Sequence, residues 1–459
     1  MRIIGAEEFD GYWRLQGGAG GSRVPGGDKT AAAVQEIIEA VRTGGDAAVK
    51  RFAARFDKSS PEALEVPPAR VRAAWDDLNR EDPGLAAAME LAARHIRRFA
   101  ELQREQLAGF EAEIAEGLFA GQRVIPVERA AIYVPAGRFP LFSSVLMGMI
   151  PALTAGVDEV ILASPPMENG LPDKNILAAA GLAAGTRAIR VFAMGGAQAI
   201  AALALGTETI PRAGVIAGPG NKYVAEAKRA LFGEAGIDFI AGPTDVLVIA
   251  EKPARPGEAA GRRAAADIIA ADMCAQAEHD ADARARALVP SRDMAEAVEA
   301  ALEKRLAVLP EYSRQAARAS LDAGGLIVVY HRREEAVRVA NTIAPEHLEL
   351  HLENPDPWIG DLRNYGSLFI GPLAAEVLGD YSAGINHTLP TSGSARFTGG
   401  LSVRHFLKIV TTLRCLPGAG FGEALGAAER MGRAEGLAAH AASAAARQTA
   451  AGPGNRPWP

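Results

Sequence analysis

The sequence predicts a doubly wound α/β protein with mainly parallel strands. From about residue 130, short apolar runs alternate with alanine-rich helical stretches, the alternation that builds parallel sheets covered by helices. The runs are apolar at successive positions rather than at every second one, as strands buried on both faces require. Glycine-containing turns directly follow two of the runs, at the strand ends where open α/β sheets bind ligands.

Taken in order, residues 17–27 (GGAGGSRVPGG) read as a flexible connection between a short N-terminal segment and the first long helix. That helix starts with Asp28 as N-cap and carries Val34, Ile37, Ile38 and Val41 on one buried stripe. Gly44 and Gly45 end it. Asp46 caps a second helix with Val49, Phe52 and Phe56 on its apolar side. Strands are expected at 131–134, 160–163, 191–193, 215–217, 246–250, 326–330 and 368–370. Beyond Cys415 the chain turns alanine-rich and helical, and it closes on GPGNRPWP, read as a frayed tail.

Composition narrows the function classes. The chain has 459 residues, enough for two to four compact units. A net charge of -6 gives no general attraction to nucleic acid or anionic lipid. Cys274 and Cys415, far apart, exclude a CxxC zinc ribbon or redox pair. The longest apolar region, 141–157, is broken by Gly148, Pro151 and Gly156, so no membrane span is expected. The N-terminus lacks the charged start and apolar run of a secretory signal. A soluble cytoplasmic protein is the expectation.

Several segments carry chemistry. Gly218-Pro219-Gly220-Asn221, between a strand and a helix, offers a close backbone approach and helix N–H groups to a pyrophosphate. Gly195-Gly196-Ala197-Gln198 sits after another strand in the same way. In AADMCAQAEHD, Gln276 and His279 stand at i and i+3 of a predicted helix, an oxygen and a nitrogen donor on one face. Glu346-His347 pairs two groups able to move protons near neutral pH. His347 and His351 repeat at i, i+4, but the order is HxExH rather than HExxH, which puts the glutamate on the wrong face of a helix for a zinc protease. Asp380 lies in a predicted loop over 379–391. Glu435 and His440 stand in the helical AEGLAAHAASAAAR.

These segments together resemble the histidinol dehydrogenase family. IYVPAGRFPLFSSVLM, GGAQAIAALALGTETIP, GPGNKYVAEAKR, QAEHD, APEHLEL, GDYSAGINHTLPTSGSARFTGGLS and AEGLAAHA are similar to its motifs, in its order, from about residue 30 to 446. The resemblance implies oxidation of L-histidinol through L-histidinal to L-histidine with reduction of two NAD in turn. It implies zinc, one per subunit, held by Gln276, His279, Asp380 and the His440 of a partner subunit. His347 would be the general base for the alcohol and Glu346 would activate the hydrating water. Tyr133, Gln198 and Asn221 would touch NAD. Thr244 and Glu435 would line the substrate site together with the metal ligands and His347.

The domain reading follows the family: two Rossmann-like domains, an incomplete NAD-binding one at 131–243 inserted into a catalytic one at 28–130 and 244–402. Residues 1–27 and 403–447 would be helical dimer segments of an intertwined homodimer, and 448–459 a disordered tail. The chain departs from the family at Thr244-Asp245, where serine and glutamate are common, and at Ala136 and Arg138-Phe139. An Arg138 facing the substrate would favour an anionic alcohol, such as the sulfonated substrate of a paralogue. A rival of another class, an NAD-independent zinc hydrolase, uses Gln276, His279 and Asp380 without a nucleotide.

Overall fold

The computed structural model describes residues 1–16, 27–57, 59, 61–136, 140–251 and 259–450. Nearly all of the glycine-rich connection, Arg138-Phe139 and the last nine residues of the tail lie outside them. The chain divides into two compact units, Met1–Leu102 with Val127–Phe406, and Gln103–Pro126 with Leu407–Pro459.

The first unit opens with β1 (Arg2–Gly5) and α1 (Phe9–Leu15). Then α2 (Gly27–Phe56) buries Val34, Ile37, Ile38 and Val41 as its stripe predicts. Gly45, at φ +50, breaks it where the glycine pair was expected to end a helix. Past the break Val49 and Phe52 are buried, but Phe56 is 52% exposed, so the predicted apolar face stops one turn early. Helices α3 (Pro68–Glu81) and α4 (Pro83–Glu105) follow. A hairpin, β2 (Phe110–Ala115) and β3 (Leu118–Pro126), belongs to the second unit.

Two parallel sheets fill the rest of the first unit. One contains β4 (Arg129–Tyr133), β5 (Glu159–Ser164), β6 (Ile189–Ala193), β7 (Val215–Ala217) and β8 (Gly236–Ile237), in the order β6-β5-β4-β7-β8. Its helices are α5 (Phe142–Ala155), α6 (Lys174–Ala184), α7 (Gly196–Leu205) and α8 (Lys222–Leu231). The other adds β9 (Asp245–Ala250), α9 (Ala259–Ala277), β10 (Arg284–Val289), α10 (Arg292–Val308), α11 (Glu311–Gly324) and β11 (Leu326–Val329). It ends with α12 (Arg333–Ile343), β12 (His347–His351), α13 (Asp356–Ile359), β13 (Ser367–Ile370) and α14 (Glu376–Tyr381). Its order is β1-β11-β10-β9-β12-β13.

Apart from β1, both sheets share one winding: three strands laid outward in one direction, then two from the first strand in the other. Each therefore has a switch point, β4/β7 in one and β9/β12 in the other. All six residues of β9 are buried, as its apolar run predicts.

Three expectations are corrected. Residues 1–27 are not set apart, because β1 pairs in parallel with β11 along Arg2–Gly5. The stretch expected to be a helical C-terminal segment begins with a strand, β14 (Leu407–Cys415), antiparallel to β3. The last helix, after α15 (Ala419–Ala434), is α16 (Ala438–Ala450), which runs past the expected end of order at 448. No described helix is long and apolar enough to cross a membrane.

The turn after β7 depends on Gly218. Its φ is +118, and a Cβ there would stand 2.1 Å from the Tyr133 carbonyl oxygen. Gly218→Ala is therefore expected to cost about 3 kcal/mol or more of stability, measured by urea titration. A loss under about 1 kcal/mol would mean that this backbone approach relaxes freely.

Candidate active site

Both switch points contribute, at opposite strand ends. Tyr133 and the Gly218 turn stand at the carboxyl ends of β4 and β7. Thr244, Asp245, Glu346 and His347 stand at the amino ends of β9 and β12. The 238–244 segment joins one edge to the other. A cavity of about 180 Å³ lies there, lined from both edges by Pro219, Phe239, Thr244, Glu346, His347 and Asp380 among others.

The Glu346–His347 pair is held by Asp245. The Asp245 N–H donates to Glu346 Oε2 at 3.0 Å, the Glu346 N–H donates back to Asp245 Oδ1 at 3.0 Å, and His347 Nδ1 meets the Asp245 carbonyl at 3.3 Å. Arg286 of β10 fixes Asp245 in turn at 3.1 Å. With Nδ1 on a carbonyl, the ring donates there and leaves Nε2 as the acceptor. Nε2 is buried without a hydrogen-bond partner and lies 3.8 Å from Asp380 Oδ1.

Burial lowers the His347 pKa from the ordinary 6.5, so the ring is neutral and basic at neutral pH. Burial pushes Glu346 well above the usual carboxylate range, against the hydrogen bond from Thr244. Glu346 is thereby brought toward the strength that proton transfer near neutral pH needs, while His347 stays in its basic, proton-accepting form. A base of lowered pKa stays deprotonated into more acidic solution. The acid limb of alcohol oxidation should accordingly lie below pH 6.5, as kcat/KM profiles will test; a limb above it would remove His347 as the base.

The dismissed zinc-protease spacing would need a helix at His347–His351. The segment is a strand: α12 stops at Ala344 in the left-handed region, and residues 347–351 then pair in parallel with β9 and β13. His347, Glu349 and His351 therefore alternate onto one face of β12. Glu349 Oε2 is 3.1 Å from His351 Nε2, and its Oε1 accepts the Glu376 N–H at 2.7 Å. Buried Asp272 of α9 stands beside them, raised to about 7 by burial and by Glu349. This cluster fixes the start of α14, which carries Asp380.

The proposed metal ligands of the first unit converge, though not by the expected local geometry. α9 ends at Ala277, so Gln276 is helical while His279 sits in the bend beyond it. Asp380 is in the last turn of α14 rather than in a loop. Ligand atoms of His279, Glu376 and Asp380 all lie within 4.8 Å of one another. Glu376 was missed in the sequence; its only signal was a carboxylate one helical turn before Asp380.

Gln276, fully buried, donates to Thr244 Oγ1 at 2.7 Å, and Thr244 bonds to Glu346. In this orientation its amide oxygen faces the Glu376 carboxylate at 2.7 Å, acceptor against acceptor. Either the amide turns over and donates to Glu376, or a cation lies between the two oxygens. Two carboxylates, an amide oxygen and an imidazole, converging with an orphaned His347 Nε2 nearby, are a donor set that fits zinc. His387 was also missed: its Nδ1 meets the Asp380 carbonyl at 2.9 Å and its Nε2 meets Ser144 Oγ at 3.0 Å.

The proposed nucleotide contacts split into two groups. Tyr133 and Gln198 come together at the Gly195-Gly196 turn, where the Gly196 N–H donates to Tyr133 Oη at 3.1 Å. Burial raises the Tyr133 pKa to about 12, so it stays a neutral phenol. Asn221 instead caps α8, its Oδ1 accepting from the Tyr223 and Val224 N–H groups at 2.9 and 3.2 Å. Gly218 N–H is already taken by Asp238, 2.8 Å away. The turn read as a pyrophosphate cradle is thus largely satisfied from within. Glu435, the C-cap of α15, and His440 of α16 lie in the second unit, both exposed. Arg138 lies outside the described residues.

Comparison with known proteins is consistent along most of the chain. The family model described as histidinol dehydrogenase matches residues 24–448. The chain is 45% identical over 410 residues to a histidinol dehydrogenase of Thermus thermophilus, covering 89% of this chain and 92% of the relative. It is 43% identical over 422 residues to one of Methylococcus capsulatus, covering 90% of each. Its fold is similar to the crystal structure of histidinol dehydrogenase from Elizabethkingia anophelis, with TM-score 0.86, 31% identity and 98% of each chain covered.

Proposed function

Because the chain belongs to the histidinol dehydrogenase family, we propose that the site just described divides the family's two oxidations between His347 and Glu346. Family membership carries the overall reaction: L-histidinol is oxidised to L-histidine in histidine biosynthesis, with NAD as acceptor and zinc as cofactor. The observation that carries the residue assignment is the buried, unpartnered Nε2 of His347 facing the cavity beside Asp380.

In the first oxidation His347 Nε2 takes the hydroxyl proton of histidinol; NAD, which Tyr133, Gln198 and Asn221 would hold, would supply the hydride acceptor for both steps. In the second, Glu346 takes a proton from the water that adds to the aldehyde, forming the hydrate from which the second oxidation proceeds. Thr244 orients Glu346 for this. Gln276, His279 and Asp380 would hold zinc, with His440 of the partner subunit as a further ligand. When bound, zinc supplies a fixed positive centre on which the imidazole and amine of histidinol are anchored. Glu435 of the partner subunit meets the substrate in this reading, and the assembly is a homodimer. The shared winding of the two sheets supports two Rossmann-like domains, 131–243 as the NAD-binding one and 28–130 with 244–402 as the catalytic one, except that the helix at 27–56 buries its apolar stripe against the five-stranded sheet and goes with the NAD-binding domain.

The testing experiment is NADH formation by zinc-loaded protein with histidinol limiting. About two NADH per histidinol, abolished by a chelator, is expected from this proton-transfer pair. One NADH per histidinol would leave Glu346 without its role. Glu346→Gln should then slow the aldehyde step by about 100-fold and the alcohol step far less, read with each substrate separately. Equal slowing of both steps would end the division of labour.

A further inference from the structure

We propose that Asp57 accepts the hydroxyls of the adenosine-side ribose and sets the preference for NAD over its 2′-phosphorylated form; this rests on the reading that the dinucleotide binds along the five-stranded sheet. Asp57 stands just past α2, its N–H bonded to the Ala53 carbonyl at 2.8 Å. Its Oδ2 accepts from the Gly195 N–H at 3.3 Å and from Gln198 Nε2 at 3.4 Å. Among the described residues its Oδ1 accepts no hydrogen bond, and no cation counts among the influences on its charge. One carboxylate oxygen is anchored and the other is left to accept, the arrangement that takes a hydroxyl.

The packing around the carboxylate is built for it. A Cβ on Gly195 would come within 2.7 Å of Asp57 Oδ1 and of Pro165. Gly195 is the N-cap of α7, a position at which a helix ordinarily welcomes a phosphate. Here a carboxylate already occupies that end, and a pyrophosphate would meet it charge against charge. The ligand group that fits this corner is therefore neutral and carries donors.

Sheet geometry says which part of the dinucleotide reaches it. The catalytic cavity takes Pro219 from the end of β7 and Phe239 from beyond β8, so the reacting nicotinamide belongs at that side of the sheet. Asp57 is bonded at the end of β6, three strand spacings from β7 in the order β6-β5-β4-β7. At ~4.8 Å per strand that is about 14 Å, the reach of an extended dinucleotide from nicotinamide to adenosine. Tyr133 and Gln198 border the same end. A phosphate on the adenosine ribose would bring up to two further negative charges against the Asp57 carboxylate.

The experiment titrates zinc-loaded wild type, Asp57→Asn and Asp57→Ser with NADH and NADPH by nucleotide fluorescence, thermal melting confirming that each variant is folded. Wild type should bind NADH and discriminate against NADPH. Both variants should bind NADH at least tenfold more weakly and lose at least tenfold of that discrimination. In turnover, the change should fall on KM for NAD more than on kcat. If a folded variant keeps both affinities within twofold of wild type, the assignment of Asp57 is overturned while the nucleotide reading stands. If wild type itself binds neither nucleotide, the nucleotide reading falls and takes Asp57 with it.

Discussion

His347→Asn is expected to lower kcat for histidinol oxidation by about 10²–10⁴-fold while zinc content and NADH affinity stay near wild type. The asparagine side chain can still reach the Asp245 carbonyl that now meets Nδ1. It has no basic nitrogen to replace Nε2, which the structure leaves buried, unpartnered and facing Asp380. The loss should therefore fall on proton removal. Steady-state kinetics beside metal analysis will separate this from a metal defect. A kcat within fivefold of wild type would show that another group takes the hydroxyl proton. Loss of zinc in parallel with activity would make His347 a metal-site residue instead.

His440→Ala should give the second large effect. A lost metal ligand typically weakens metal binding by orders of magnitude, so most zinc and most histidinol oxidation should disappear while NADH binding persists. His440 is exposed on α16, and a shared site predicts complementation. Mixing His440→Ala with His347→Asn after reversible dissociation puts both defects in one site of each mixed dimer and leaves the other intact. Random pairing in a symmetric dimer then restores about a quarter of wild-type activity. Activity that stays at the level of the separate variants would place each site within a single chain.

The parts of this fold legible in the sequence were those whose residues are apolar on every side. The runs at 131–134, 160–163 and 246–250 became strands because burial on both faces leaves no polar position to confuse the period. The hairpin of β2 and β3 was missed because FEAEIA is mostly exposed and its apolar residues contribute to no buried stripe. β14 hid for the same reason, with Lys408, Thr411, Thr412 and Arg414 interrupting LKIVTTLRC. At 347–351 two histidines at i, i+4 fit a strand's alternation as well as one helix face, and only pairing with β9 and β13 decides for the strand.

The site was legible as a set of residues but not as an arrangement. Gln276 and His279 were placed on one helix face, yet the chain bends after Ala277, and tertiary packing brings His279 to Asp380. Glu376 and Asp57 were not found at all. Each is a single acidic residue near a helix end, the commonest place for a solvated carboxylate. Only the partners that long-range packing supplies, Gln276 in one case and Gly195 with Gln198 in the other, distinguish them.

The amino-terminal strand also sets an order of events for a growing chain. Arg2 pairs with Leu326, so β1 must wait for a partner about 320 residues further along the chain. At ~10 residues per second that delay is on the order of half a minute. Until then β1 is an unpaired strand edge, and β11 lacks a neighbour for as long as β1 stays away. A ribosome that stalls between β8 and β11 would release a chain with the five-stranded sheet complete and its first strand exposed. Such fragments are the ones on which aggregation should begin.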